Sequence, residues 1–421
     1  MGSPTDTTSR VYMEGFSGRD YAAINSYYFQ DLRPGTQPVQ PVVLPDSEFS
    51  AYGEPGKTLG GRWSLDGSVL MTARDNSAAP ADEQGADTRR LSLNAGWQRQ
   101  MISETGLLTT VSGLVRGDGY WADEVPNIEE SGEHYNNVLI GRQFEQADVT
   151  VRYPMARQGD GYQQTLEPIA MLTGAPVTHL DSRQPIEDSQ DFEFNDTNLF
   201  SSNRYTGTDL IEGGSRATYG LRNEIITDDG SRVEMFGGQS YSFNRRNDFP
   251  YLSGLTDQVS DYVGRISATP GPWLESDYGF RLDHKSGVPQ EQDAHVSFGV
   301  PEFRPSLRYI SAYETDTTGL VDAVKEGTFG FSSTFDKYYT FTASQIQAFN
   351  PDPGPRTTLA SINYVDECFV FGVTFRQDYT TRLDVNSGTS VEFHFYLKNV
   401  GGLHTDSFTS PIYATQFRQT D

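Results

Sequence analysis

The segment Ala51-Tyr52-Gly53-Glu54-Pro55-Gly56-Lys57-Thr58 carries the glycines, lysine and threonine of a relaxed phosphate-binding loop. Such a loop aims its backbone N–H groups at a phosphate only between a buried strand and the start of a helix. Here Leu59-Gly60-Gly61-Arg62-Trp63 continues as strand, so a Pro-Gly hairpin turn is the better reading. The six histidines, at 134, 179, 284, 295, 394 and 404, never come closer than ten residues, which excludes HExxH and any helical two-histidine metal motif. No GxSxG elbow, SxxK pair or GxGxxG fingerprint occurs. The 57 Asp and Glu are read more simply as solvated charge than as a catalytic pair. The one cysteine, Cys368, excludes an internal disulfide. Nothing in these residues speaks for an enzyme, a cofactor or a metal, and the expectation is none of the three.

The chain that carries them has 421 residues and a formal charge of −25, which argues against a nucleic-acid partner, since phosphate recognition needs a basic footprint. With 25 Phe, 23 Tyr and 4 Trp it is too aromatic to be disordered. Its longest apolar runs, such as 169–172 and 369–373, fall far short of the roughly 18 residues of a membrane helix. The opening Met1-Gly2-Ser3-Pro4-Thr5 has neither the charged nor the apolar region of a secretory signal. Alone, that reads either as cytoplasmic or as a chain whose real beginning lies upstream.

Period-two alternation recurs throughout, the primary signal of strands. Val391, Phe393, Phe395 and Leu397 point one way, while Glu392, His394, Tyr396 and Lys398 point the other. Phe369, Phe371, Val373 and Phe375 oppose Val370, Gly372, Thr374 and Arg376 in the same manner. With weaker segments this predicts about eighteen or nineteen strands of roughly 9 to 13 residues, twice the usual soluble length and long enough to cross a bilayer when tilted. An aromatic face opposite small and charged residues is the lipid-out, water-in pattern of an antiparallel transmembrane β-barrel, an all-β fold. Short turns at 228–230, 270–272, 301–305, 336–337 and 366–367 alternate with longer connections. Parity makes the short ones periplasmic, and 75–87, 117–136 and 176–215 outer loops, with acid concentrated in 123–133 and 181–196.

Several segments resemble the barrel of the lipopolysaccharide-assembly outer-membrane family, LPS transport protein D. They are Tyr12-Met13-Glu14-Gly15-Phe16-Ser17-Gly18-Arg19-Asp20-Tyr21, then Gln164-Thr165-Leu166-Glu167-Pro168, then Asn198-Leu199-Phe200-Ser201-Ser202-Asn203-Arg204-Tyr205-Thr206-Gly207-Thr208-Asp209, and finally Tyr364-Val365-Asp366-Glu367-Cys368. The resemblance implies a Gram-negative outer-membrane protein that moves lipopolysaccharide and releases it sideways between the first and last strands of a barrel of about 26 strands. It implies as partners a lipoprotein plugging the barrel, periplasmic bridge proteins that reach it through a jellyroll domain, and the barrel-assembly machinery. The jellyroll, the signal and about seven first strands are expected outside this chain, giving a barrel portion over 1–398, a tail over 399–421 and an open seam beside 391–398. The last strand, with Gly388, Val391, Phe393, Phe395 and Leu397, would form half of the lateral gate and carry the assembly signal. Cys368, at a periplasmic turn, would bond a cysteine outside this chain in the oxidising periplasm. Divalent cations are expected to bridge the acidic outer loops to phosphorylated lipid. A diffusion porin and a plug-gated outer-membrane receptor share the alternation and are the alternative readings.

Overall fold

A computed structural model describes residues 6–31, 39–53, 56, 60–76, 85–127, 133–189, 193–244, 249–315, 321–380, 387–398 and 401–404. No described residue is in an α-helix. The first strands are β1 (Asp6–Ser17), β2 (Asp20–Asp31), β3 (Val42–Tyr52), β4 (Arg62–Ala73), β5 (Asp87–Ile102) and β6 (Leu108–Asp123). A small ribbon of β7 (Val125–Pro126) and β8 (His134–Tyr135) precedes β9 (Val138–Arg152), β10 (Met155–Gln158) and β11 (Tyr162–Gly174). Next come β12 (Arg216–Thr227), β13 (Arg232–Ser242), β14 (Tyr262–Thr269), β15 (Leu274–Leu282), β16 (Pro289–Phe298), β17 (Arg304–Thr315) and β18 (Val321–Phe335). The chain continues through β19 (Tyr339–Asn350), β20 (Gly354–Val365), β21 (Phe369–Asp378), β22 (Gly388–Leu397) and β23 (Gly401–His404).

All but β7 and β8 belong to one 21-stranded antiparallel sheet in which successive strands pair, β6 with β9 across the ribbon and β9 and β10 excepted. Strands β9 and β10 both pair with β11 and amount to one bent strand, interrupted at Pro154, which has no N–H to give the ladder. Nineteen strands have eight residues or more, in agreement with the periodicity. The segment 117–123, placed by parity in the outer loop 117–136, is instead strand, because Asp118 and Tyr120 find partners on the inner face while Gly117 and Gly119 lie on the outer one.

Alternation survives because each strand faces two solvents. On β5, Thr88, Arg90 and Ser92 are buried inward while Leu91 and Leu93 are exposed on the outer side. Rings on the outer side gather beside the short turns 336–338 and 366–368: Phe335 and Tyr339 at 5.3 Å, Tyr339 and Tyr364 at 5.0 Å, Tyr364 and Phe369 at 5.3 Å, and Phe369 and Phe395 at 5.8 Å. A belt of this kind suits the membrane–water boundary, where amphipathic rings meet headgroups. At the two ends of the sheet, β1 pairs with β2, and β23 pairs with residues His394 to Leu397 of β22. No ladder among the described residues joins β1 to β22 or β23.

Candidate functional site: a charged loop docked inside the barrel

The longest described connection, 175–215, leaves the wall at Gly174 and returns at Arg216, opposite Thr173. Both ends stand at one point of the rim, and the segment between them turns into the lumen. It stays there because charged groups on the wall meet charged groups on the loop. Asp209 is fully buried and uses both oxygens: Oδ1 accepts from Arg90 Nη1 at 2.6 Å and the Tyr120 hydroxyl at 3.1 Å, and Oδ2 from the N–H groups of Glu187 and Asp188 at 2.6 and 3.1 Å. Asp188 closes the ring, accepting from the N–H groups of Thr208 and Asp209 at 2.8 and 3.0 Å and from Arg90 at 2.9 Å. Burial opposes ionisation of Asp188, but those N–H groups and the guanidinium outweigh it and hold the carboxyl down at about 2.

The flanking contacts extend the lock. Glu187 takes Arg74 at 2.7 Å and the Thr88 hydroxyl at 2.8 Å. Arg116 and Arg142 both bind Asp118, at 2.9 and 2.8 Å, and both donate to the Thr208 carbonyl. Further along, Asp148 accepts from Thr173 at 2.7 Å and Ser202 at 2.9 Å, and Glu212 lies between Arg204 at 3.5 Å and Arg216 at 3.3 Å. An uncompensated charge in such a place would be strongly unfavourable, so pairing is the condition for burying it. An apolar cluster of Phe194, Leu199, Tyr205, Phe249, Leu255 and Val263 joins this loop to the connection 243–261 and to β14.

Each distinctive residue of the Asn-Arg-Tyr-x-Gly-x-Asp run has a task in this packing. Asn203 Oδ1 accepts from the N–H groups of Tyr205 and Glu212. Arg204 reaches Ser240 at 2.9 Å and lies 5.1 Å from the Phe194 ring centroid, and Tyr205 stacks on Phe249 at 5.1 Å. Gly207 has φ +69° and no room for a Cβ, which would fall 2.1 Å from the Asp188 carbonyl oxygen. In the Leu-Glu-Pro strand, Glu167 faces inward and binds Arg152 at 2.9 Å.

This corrects the expectation of solvated charge for four of the loop acids: Glu187, Asp188, Asp209 and Glu212 face guanidinium groups of Arg74, Arg90, Arg204 and Arg216. A group of possible metal ligands, Asp261, Asp283 and His284, has its carboxylates taken by Arg281 and by Ser286. Arg90, Asp118 and Arg142 were not singled out in the sequence. Their signal is a charge at alternate positions of a strand otherwise facing lipid.

The residues expected to matter lie elsewhere. Cys368 is an exposed free thiol in the turn 366–368; its N–H donates to Asp366 Oδ1 at 2.7 Å and its carbonyl accepts from the Lys398 N–H at 3.0 Å. Gly388, Val391, Phe393, Phe395 and Leu397 stand opposite Asp378, Phe375, Val373, Phe371 and Phe369 of β21, the last four as an outward apolar row. In the segment that resembled a phosphate-binding loop, the Gly53 N–H bonds the Trp63 carbonyl at 3.0 Å and joins β3 to β4 as a hairpin; Glu54, Pro55, Lys57 and Thr58 lie outside the described residues.

A family model described as LPS transport system D matches residues 1–339. The LPS-assembly protein LptD of Thiobacillus denitrificans is 22% identical over 309 residues, 72% of this chain and 39% of that protein. Its namesakes from Pseudomonas entomophila, 32% identical over 133 residues, and Pseudomonas putida, 37% over 90 residues, are matched over 30% and 21% of this chain and 13% and 9% of their own length. The chain thus spans well under half the length of these curated relatives. Among solved structures, the siderophore receptor PirA from Acinetobacter baumannii superposes with a TM-score of 0.50 at 8% identity, over 94% of this chain and 72% of that one, which speaks to the fold alone. The alternating wall, its aromatic belt and these similarities identify a transmembrane β-barrel of the Gram-negative outer membrane. The chain belongs to the LPS transport system D family, a family of transport proteins.

Proposed function

We propose that this barrel moves lipopolysaccharide to the outer leaflet and releases it sideways at the ends of its sheet, without chemical conversion of the lipid. The family match over residues 1–339 carries this reading. The physics agrees with it. A phosphorylated, multi-tailed amphiphile cannot pass a wall in which every strand is paired, so release needs a seam that is short or interrupted. Strand β22, with Gly388, Val391, Phe393, Phe395 and Leu397, is our candidate for one side of that seam and for the segment read by the barrel-assembly machinery. Residues 1–398 are taken as barrel and 399–421 as its tail, of which Gly401–His404 lies as a short strand against the end of β22. A lipoprotein in the lumen and periplasmic bridge proteins acting through a jellyroll domain complete the proposed path. Cys368 is proposed to tie the barrel to that domain by a disulfide.

One observation favours a second reading. The docked loop narrows the lumen as a constriction loop narrows a diffusion porin. The test is to place the full-length gene under a regulated promoter and follow lipopolysaccharide exposed on the cell surface. A several-fold fall on depletion, with lipopolysaccharide retained at the inner membrane, is the expected result. Unchanged surface lipopolysaccharide with reduced uptake of small solutes would replace it with the porin.

A further inference from the structure

Beyond the phenylalanines of the last long strands, the outer face of the wall turns polar. Gln345 on β19 stands opposite Thr358 on β20, Thr358 opposite Gln377 on β21, and Gln377 opposite Thr389 on β22, so the four form one cross-strand row. They lie two residues beyond Ala343, Ala360, Phe375 and Val391, which pair in the same order, and therefore share their lipid-facing side. The Thr358 hydroxyl donates to Gln345 Oε1 at 2.6 Å and lies 3.2 Å from the Tyr379 hydroxyl, while the Thr389 hydroxyl donates to Gln377 Oε1. Tyr379 and Thr389 are exposed.

This row closes off a short apolar band. Outward positions are apolar over 360–364 on β20, 369–375 on β21 and 391–397 on β22, whereas a tilted strand needs roughly 9 to 11 residues to cross the hydrocarbon. On β6, by contrast, the outward positions are apolar or glycine from Val111 to Trp121. The short turns 336–338 and 366–368, which loop parity assigns to the periplasm, border the opposite edge of the band, so the polar row stands toward the outer leaflet. Amides and hydroxyls aimed at hydrocarbon are unfavourable, and a bilayer meets a short band by thinning until polar groups reach it. Gln, Thr and Tyr bring hydrogen-bonding groups without a cation. They match sugar hydroxyls and the amide and ester links of acyl chains better than phosphates, which call for guanidinium or ammonium.

We propose that this row is a landing site for lipopolysaccharide on the outside of the barrel. It holds the sugar hydroxyls and acyl links of the lipid while the acyl chains lie along Phe371, Phe375, Val391 and Phe393. A lipid that leaves sideways then enters the leaflet with its polar end hydrogen-bonded and its tails already in hydrocarbon. The supply of lipid to the site rests on the transport reading above, whereas binding from the surrounding leaflet does not.

The test uses the full-length protein with its co-purifying partners, in nanodiscs of lipopolysaccharide mixed with phosphatidylglycerol. A photo-crosslinking amino acid replaces Tyr379 or, as a control on the outward face of β6, Trp121. Adducts with lipopolysaccharide should be at least about fivefold more abundant at 379 than at 121, the size of roughly one net hydrogen bond. Gln377→Leu with Thr389→Val should lower the adduct at 379 by about the same factor and leave the amount of folded barrel unchanged. Should that pair fail to assemble, Thr389→Val alone, at the exposed end of the row, should lower the adduct in the same direction. Equal adducts at the two positions, an equal preference of position 379 for phosphatidylglycerol, or adducts that the variants leave unchanged overturn the landing site. Strong adducts at 379 in a barrel whose depletion leaves surface lipopolysaccharide unchanged refute the transport reading alone, and a fall on depletion without preference for 379 refutes the landing site alone.

Discussion

Arg90 on β5 and Asp209 on the inward loop meet at 2.6 Å with side chains 4% and 1% exposed, although 119 residues separate them in sequence. Neither charge has access to water, so each is the condition for the other's burial. Asp209→Ala leaves the guanidinium with Asp188 alone and should destabilise the folded barrel by about 3 kcal/mol or more. Replacing both, as Arg90→Met with Asp209→Leu, removes the unpaired charge together with the pair, and should cost clearly less than the two single changes added together. Urea unfolding in lipid vesicles for the four proteins of this cycle checks it; additive losses would mean that the two side chains do not act as a unit.

The same ring gives a pH dependence. The folded pKa of Asp188, about 2, lies below its ordinary value of 3.8. Its contribution to stability is therefore complete above about pH 4 and disappears as the pH falls toward 2. Asp188→Asn should be less stable than wild type at neutral pH, and the two melting curves should converge between about pH 4 and pH 2. Curves that stay parallel down to that pH would assign the acid sensitivity to other groups.

How far the fold was legible depends on how local its cause is. Strands such as β21 and β22 alternate cleanly because one side of each meets lipid and the other water, a demand that every second residue records. The hairpin at Gly53 and Trp63 is equally local. The docked loop is not. Glu187, Asp188 and Asp209 have the composition of a solvated acidic loop, and what buries them is Arg74 and Arg90, on elements 98 to 119 residues away in sequence. The segment 117–123 was misplaced for a related reason: the parity of the connections says that a loop lies there but not where the strand ends, and Asp118 and Tyr120 extend β6 by bonding Arg142 and Asp209. The run 198–209 was recognisable as a motif, while the reason for Gly207 became visible only with the Asp188 carbonyl against it.

Strand β22 carries a prediction about assembly. Phe393 and Phe395 are 53% and 38% exposed on the outer face, opposite Val373 and Phe371, and Phe395 also meets the Phe369 ring at 5.8 Å. Changing both to Asp should cost about 2 kcal/mol or more each if they face the hydrocarbon, and should lower the amount of folded barrel in outer-membrane fractions severalfold. Glu392→Gln, on the opposite face of the same strand, serves as the control and should leave that amount unchanged. Normal levels of the double variant would remove β22 from the membrane wall.

Cys368 offers the sharpest test of the proposed tie between this barrel and a periplasmic domain. The thiol stands exposed in the turn 366–368, held by the Asp366 carboxylate, whose pKa is lowered by the N–H groups of Phe369 and Cys368. The Lys398 N–H on the Cys368 carbonyl ties the same turn to the end of β22, so a covalent bond here would anchor the last long strand as well as the turn. In an oxidising periplasm an exposed thiol within reach of a second cysteine forms that bond. Full-length protein from cells should therefore migrate differently on reducing and non-reducing gels, and Cys368→Ser should abolish the difference. On the proposed arrangement the variant should also show lower surface lipopolysaccharide, because a periplasmic domain tied at Cys368 would no longer be held beneath the lumen. If Cys368 is freely alkylated in mature, assembled protein, there is no such bond, and the turn is held by Asp366 and Lys398 alone.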